Sequence, residues 1–177
     1  MRTSATHPIQ LDGMTVGRGR LSLTLCPGKK GDSLLGKPWN RDLAMDVTKI
    51  AADGADVVVS LIEMAEATEL GVPDLGERIE GAGLMWLSFP IRDCGVPGDR
   101  AAFEALADRV SGLLDEGRHV VVHCKGGLGR AGTLASTVLV RRGVPPDDAI
   151  RRVRAARNGA VENERQERWI AATPPAT

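Results

Sequence analysis

Five residues, His119-Val-Val-Val-His123, constrain this chain more than any other stretch. Three consecutive valines suit a strand buried on both faces, which belongs at the centre of a parallel sheet. The strand is followed by Cys-Lys-Gly-Gly-Leu-Gly and then by a segment read as a helix over 130–142. Parallel strands need crossover connections, so strand, glycine loop and helix in this order point to a sheet flanked by helices.

The rest of the chain repeats the alternation. Strands are expected over 21–25, 56–62 and 84–91. Helices are expected over 41–52, with Asn40 as N-cap, and over 63–70, 74–82, 99–116, 145–156 and 162–171. The expected fold is a single α/β domain with a central, mostly parallel sheet flanked by helices. The length, 177 residues, suits one such domain. In open α/β sheets ligands sit beyond the carboxyl ends of the strands. The loops after 119–123 and after 84–91 are therefore where chemistry is expected.

Composition removes several classes of function. Lys and Arg together number 23, as do Asp and Glu, so bulk charge gives no footing for nucleic acid. Aromatic residues are 3% and tyrosine is absent, which argues against a base-stacking platform. No apolar run approaches the roughly 20 residues of a membrane span. The opening residues lack the apolar stretch of a signal peptide, and three cysteines form no disulfide framework, so a reducing, cytoplasmic setting is expected. The three histidines are scattered and no Cys-x-x-Cys occurs, so no metal site or cofactor is called for.

Cys124 and Arg130 are separated by five residues, Lys125, Gly126, Gly127, Leu128 and Gly129. A loop of that length curls so that successive amides point inward, and its glycines tolerate the dihedrals required. The helix that follows adds its N-terminal positive end. Arg130 closes the cradle with a bidentate guanidinium suited to a phosphoryl group. The same surroundings favour a thiolate at Cys124, making it a nucleophile. The alternative is a structural cysteine in a tight turn. Gly127-x-Gly129-x-x-Gly132 also fits a dinucleotide fingerprint. However, no strand-like run follows Gly143, and Asp147 and Asp148 sit at a helix start instead of a strand end. His123 is read as ordering the loop, with a plain core histidine nearly as good a reading.

His123-Cys124-x5-Arg130 resembles the signature loop of the cysteine-dependent protein tyrosine and dual-specificity phosphatases, and most resembles the kinase-associated phosphatase branch with its bacterial relatives. Phe89-Pro-Ile-Arg-Asp93 resembles that branch's acid loop, Leu25-Cys-Pro-Gly-Lys29 its first strand and turn, and the segment 157–166 a helix-opening stretch beside the loop. The likeness implies a phosphatase-like catalytic domain over residues 20–177 after an N-terminal extension of residues 1–19. It implies hydrolysis of phosphate monoesters on phosphorylated proteins, without metal, through a cysteinyl-phosphate. Cys124 would be the nucleophile, Asp93 the general acid and then base, Arg130 and residues 125–129 the phosphate site, and Gln166 an orienter of water. Asp99 is the competing acid, but it is expected to cap the helix over 99–116. A lipid or nucleotide phosphatase, or a slow-turnover phosphate-binding module, are the alternatives.

The chain departs from that pattern at two places. Ala131 stands where the family has Ser or Thr, whose hydroxyl helps the sulfur leave, so slow hydrolysis of the intermediate is expected. Glu162 stands where Gln is common, and reads as a first-turn acid. Cys94, next to Asp93, reads as a small core thiol, with a protective disulfide to Cys124 as the alternative. Arg151, Arg152, Arg154 and Arg157 read as a solvated helix face, with a docking site for an acidic partner as the alternative.

Overall fold

The computed structural model describes residues 1–32 and 36–176. A hairpin opens the fold: β1 (Asp12–Val16) pairs antiparallel with β2 (Gly19–Thr24). Gly17 supplies a φ of 60° at the first turn position, as a two-residue hairpin turn of the II′ kind requires. Two short strands follow, β3 (Lys30–Gly31) and β4 (Trp39–Asn40), which pair with each other. Then come α1 (Leu43–Ala52), β5 (Val57–Ser60), α2 (Met64–Glu69), α3 (Leu75–Gly81), β6 (Met85–Ser88), α4 (Arg100–Asp115), β7 (His119–His123), α5 (Gly129–Arg141), α6 (Pro146–Ala156) and α7 (Glu164–Ala171).

The main sheet runs β1-β2-β7-β5-β6 and is parallel except for the β1 edge. β7 is the middle strand, and all five of its residues are buried, as the valine run requires. It is in register with β2 through Val120 opposite Leu21 and with β5 through Val121 opposite Val58. The four parallel strands all occur where the sequence places them: β7 with the same bounds, β5 and β6 shorter, and β2 shifted to begin at Gly19. β1, inside the expected N-terminal extension, joins the same sheet, and Ile9 just before it is in the core.

α5 is buried along almost its whole length, from Gly129 to Val140. It touches α4, α6, α7, β2 and β7. A helix enclosed on every side cannot carry a polar face, and its Gly, Ala, Ser and Thr let those neighbours approach. Helix α1 starts later than expected: Asp42, not Asn40, is its N-cap, accepting from the Met45 amide at 2.8 Å. Arg41 cannot join the helix surface because it is buried in a bidentate pair with Asp46, at 2.7 and 2.8 Å. Asp99 caps α4 by accepting from the Ala102 amide at 3.0 Å. No helix among the described residues is long and apolar enough to cross a membrane.

The carboxyl edge of the parallel strands delivers four groups to one place. Lys29 follows β2, Glu66 follows β5, Asp93 follows β6 and Cys124 follows β7.

Candidate active site

Cys124 is the first residue after β7 and is 3% exposed. The glycines that follow have different jobs. Gly127 adopts a φ of 72°, and a Cβ there would run into the Thr24 carbonyl of the neighbouring strand. A Cβ on Gly129 would strike the Glu162 carboxylate and the Gln166 amide. Gly126 has open space around it and needs no such exemption. Leu128 is the N-cap of α5 and offers no side-chain cap. Among the described residues, none of the amides of residues 125–131 donates a hydrogen bond to the protein. A helix start with unspent donors is an anion-receiving surface.

Arg130 is 1% exposed and both terminal nitrogens of its guanidinium are engaged. Nη1 donates to Glu66 Oε2 at 2.6 Å and to the Ile91 carbonyl at 2.9 Å. Nη2 donates to Glu66 Oε1 at 2.8 Å and to Asp93 Oδ1 at 2.7 Å. Burial works against the charge of Arg130, but the Glu66 hydrogen bonds, helped by Cys124 and Asp93, raise its pKa above the usual arginine value. Glu66 is thus the bidentate partner that fixes the guanidinium plane. Sequence reading places it in a helix but assigns it no role. Nothing in the local pattern marks it, since its partner lies 64 residues away.

Asp93 reaches Arg130 from the loop after β6, and its side chain is 46% exposed. Its other oxygen accepts from Lys125 Nζ at 3.4 Å. Cys94 has a φ of 57°, and its amide donates back to Asp93 Oδ1 at 3.0 Å. The start of α7 fastens this loop: Asn163 Nδ2 donates to the Cys94 carbonyl and Gln166 Nε2 to the Gly95 carbonyl, both at 3.2 Å. Gln166 is fully buried, and its Oε1 accepts from the Glu162 amide at 3.0 Å. Both ends of Gln166 are therefore spent on the protein, making it a clasp between the acid loop and the segment that leads into α7. α7 starts at Glu164 with Asn163 as N-cap, so Glu162 lies before the helix, beside Gly129, and is not a first-turn acid. Cys94 is exposed instead of lying in the core, and Cys26 is the fully buried thiol.

His123 sits at the end of a polar relay. Trp86 Nε1 donates to Ser60 Oγ at 2.8 Å, Ser60 Oγ lies 2.6 Å from His123 Nε2, and His123 Nδ1 lies 3.4 Å from the Cys124 carbonyl. These contacts fit one tautomer, with Ser60 donating to Nε2 and Nδ1–H facing the carbonyl. Burial lowers the His123 pKa to about 4. The unfolded chain takes up this proton near 6.5 and the folded one refuses it until about 4. The protein is therefore unaffected above pH 6.5 and loses stability as the pH falls through that window. The loss expected from this residue is about 3 kcal/mol. Urea melts at pH 7 and pH 4.5 should show it as an extra acid sensitivity of the parent relative to His123→Gln. Equal sensitivity of the two would contradict it.

The arginine stretch of α6 is not a uniformly solvated face. Arg157 turns inward, where Nη2 donates to the Gly126 carbonyl at 3.0 Å and Nη1 to Asp12 Oδ2 at 2.5 Å. Arg154 donates to the carbonyls of Ala160 and Val161. Both pin the segment that carries Glu162 and the phosphate loop.

A cysteine at the carboxyl end of a central strand, a glycine loop and a buried arginine at a helix start define a cysteine-dependent phosphatase architecture. Known proteins agree. The chain is 27% identical over 170 residues to cyclin-dependent kinase inhibitor 3 of Rattus norvegicus, covering 92% of this chain and 77% of that protein. It is 30% identical over 130 residues to protein tyrosine phosphatase type IVA 3 of Homo sapiens, covering 72% and 69%. Among solved structures, a kinase-associated phosphatase with serine in place of its catalytic cysteine superposes with a TM-score of 0.83 at 24% identity, over 92% of both chains. The active form of Tk-PTP gives 0.69 at 25% identity, over 90% of this chain and 93% of that one. A family model described as a polymorphic toxin system DSP-PTPase phosphatase matches residues 35–144, and the chain belongs to that family. It is accordingly a protein tyrosine/dual-specificity phosphatase.

Proposed function

We propose that the protein hydrolyses phosphate monoesters on phosphorylated proteins, phosphotyrosine first and phosphoserine or phosphothreonine second, through a cysteinyl-phosphate on Cys124. The observation that carries this reading is Arg130. Its guanidinium is held rigid by Glu66 and the Ile91 carbonyl, and its Asp93-facing edge already grips a carboxylate oxygen at 2.7 Å. A phosphoryl oxygen would take the same edge, while the amides of residues 125–130 receive the others.

In the first step the Cys124 thiolate attacks phosphorus, an S–P bond forms, and the ester P–O bond breaks. Asp93, protonated, gives its proton to the leaving oxygen. In the second step water attacks, Asp93 takes its proton, the S–P bond breaks, and the electron pair returns to sulfur. Gln166 supports both steps by holding the loop that carries Asp93, and Lys125 adds positive charge at the rim. Substrate profiling with phosphotyrosine, phosphoserine and phosphothreonine peptides on an Asp93→Ala trapping variant tests the substrate class. Retention of tyrosine peptides supports the reading. Retention of none, with turnover only of phosphoinositide or nucleotide, would replace it. Tight peptide binding by the parent without phosphate release would favour a binding module.

Asp93 also competes with the substrate for Arg130. Removing its charge leaves that guanidinium edge to the incoming anion. Asp93→Asn should bind vanadate about ten-fold more tightly than the parent, a modest gain because the carboxylate is half in water, while turnover falls. Weaker vanadate binding by the variant would refute the competition.

A further inference from the structure

Among the described residues, no hydroxyl forms a hydrogen bond with the Cys124 sulfur in place of the one that Ala131 lacks. Thr133 Oγ1 donates to the Gly129 carbonyl and Thr137 Oγ1 to the Thr133 carbonyl, each at 2.8 Å. Ser60 is committed to His123, and the buried Thr24 Oγ1 has no hydrogen-bond partner among the described residues.

A cation stands behind the loop instead. The turn after β2, Cys26-Pro27-Gly28, folds back with the Gly28 amide on Asp46 Oδ2 at 2.8 Å. This carries Lys29 inward until it is 8% exposed. Its Nζ donates to the carbonyl of Lys125, the residue after Cys124, at 3.1 Å. The Cys26 amide is bonded to that same carbonyl at 3.3 Å. Among the described residues, no carboxylate forms an ion pair with Lys29. A buried ammonium without a counter-charge is costly. The charged and titratable groups around it are Cys26, Cys124, Lys125 and Arg2, and burial lowers its pKa while the two sulfurs oppose that shift. Burial pushes the Cys26 thiol far up, so Cys26 stays protonated. Cys124, one residue before the carbonyl that Lys29 grips, is the other sulfur beside the ammonium.

We propose that Lys29 is a positioning cation for Cys124, stabilising its sulfur as the cysteinyl-phosphate is hydrolysed and taking over the task that a hydroxyl at position 131 would perform. The inference rests on the mechanism proposed above. As water adds and the S–P bond breaks, the electron pair collects on sulfur. Lys29 stabilises that charge from behind the loop through space and exchanges no proton.

The test uses Lys29→Met, which keeps the volume and drops the charge, with Lys29→Gln as a second variant able to keep the bond to the Lys125 carbonyl. Rapid-quench kinetics on p-nitrophenyl phosphate separate the first turnover from the steady state. Both variants should lower the steady-state rate about ten-fold more than the burst rate. Alkylation of Cys124 by iodoacetamide, followed by mass spectrometry of its peptide, should shift its pH midpoint upward by about one unit. Ala131→Ser should raise turnover more in the Lys29→Met background than in the parent, because the two groups serve one sulfur. Burst and steady state falling together, with an unmoved alkylation profile, would overturn the inference. The alkylation result needs no turnover, so it stands apart from the substrate reading. A parent protein with no burst and no turnover would defeat the mechanism, whereas an unmoved profile defeats only the role of Lys29.

Discussion

Glu66→Gln should lower stability by about 3–5 kcal/mol and kcat/KM by about a hundred-fold, although Glu66 meets no substrate. Arg130 is buried and donates two of its four hydrogen bonds to this carboxylate. Glutamine matches the shape but turns an NH2 toward a guanidinium that has only hydrogens to offer. The positive charge then remains in the interior with one neutral amide oxygen, the Ile91 carbonyl and the half-exposed Asp93 to hold it. Loss of one partner of a buried pair costs more than the pair contributes, because the remaining charge is stranded. The kinetic loss follows from geometry: a guanidinium no longer held in one plane meets the phosphoryl oxygens out of register. Urea unfolding and kcat/KM on p-nitrophenyl phosphate measure the two effects. A variant as stable and active as the parent would show that Glu66 does not position Arg130.

Cys124→Ser should abolish hydrolysis, by on the order of 10^4-fold or more, in buffer containing EDTA. Serine differs from cysteine by one atom and fits a site that is 3% exposed, so folding and anion binding should survive. A serine hydroxyl is far less acidic than a thiol, and this loop offers it no base: His123 is buried, neutral and turned to Ser60 and the Cys124 carbonyl. The variant should still bind vanadate or phosphopeptide, separating binding from chemistry. Residual turnover near the parent rate would mean that the sulfur is not the nucleophile.

The fold was legible because its driving pattern is local. The Val120–Val122 run could only be an interior strand, and Cys124 to Arg130 is a contiguous loop whose spacing reveals its shape. Asp93 was legible as a loop acid following a strand on the same sheet edge, although β6 stops at Ser88, short of where the sequence pattern ends it. β1 was missed, although Asp12-Gly-Met-Thr-Val16 followed by Gly17 is a short hairpin signal overshadowed by polar surroundings. Glu66, Lys29 and Arg157 were missed for a different reason. Each serves a partner far along the chain, Arg130, Lys125 and Gly126 respectively, and only the folded sheet edge brings them together. Gln166 was noticed, but its geometry is that of a clasp on Gly95, which residue identity alone does not reveal.

On the proposed mechanism, Cys124 carries the phosphoryl group between the two steps. Acid quenching of the enzyme within its first turnover of p-nitrophenyl phosphate, followed by mass spectrometry of the digested protein, tests it most directly. One phosphate should appear on the peptide containing Cys124, with none on the peptides containing Cys26 or Cys94 and none in Cys124→Ser. Stoichiometric product release with no phosphorylated Cys124 at any quench time would contradict it.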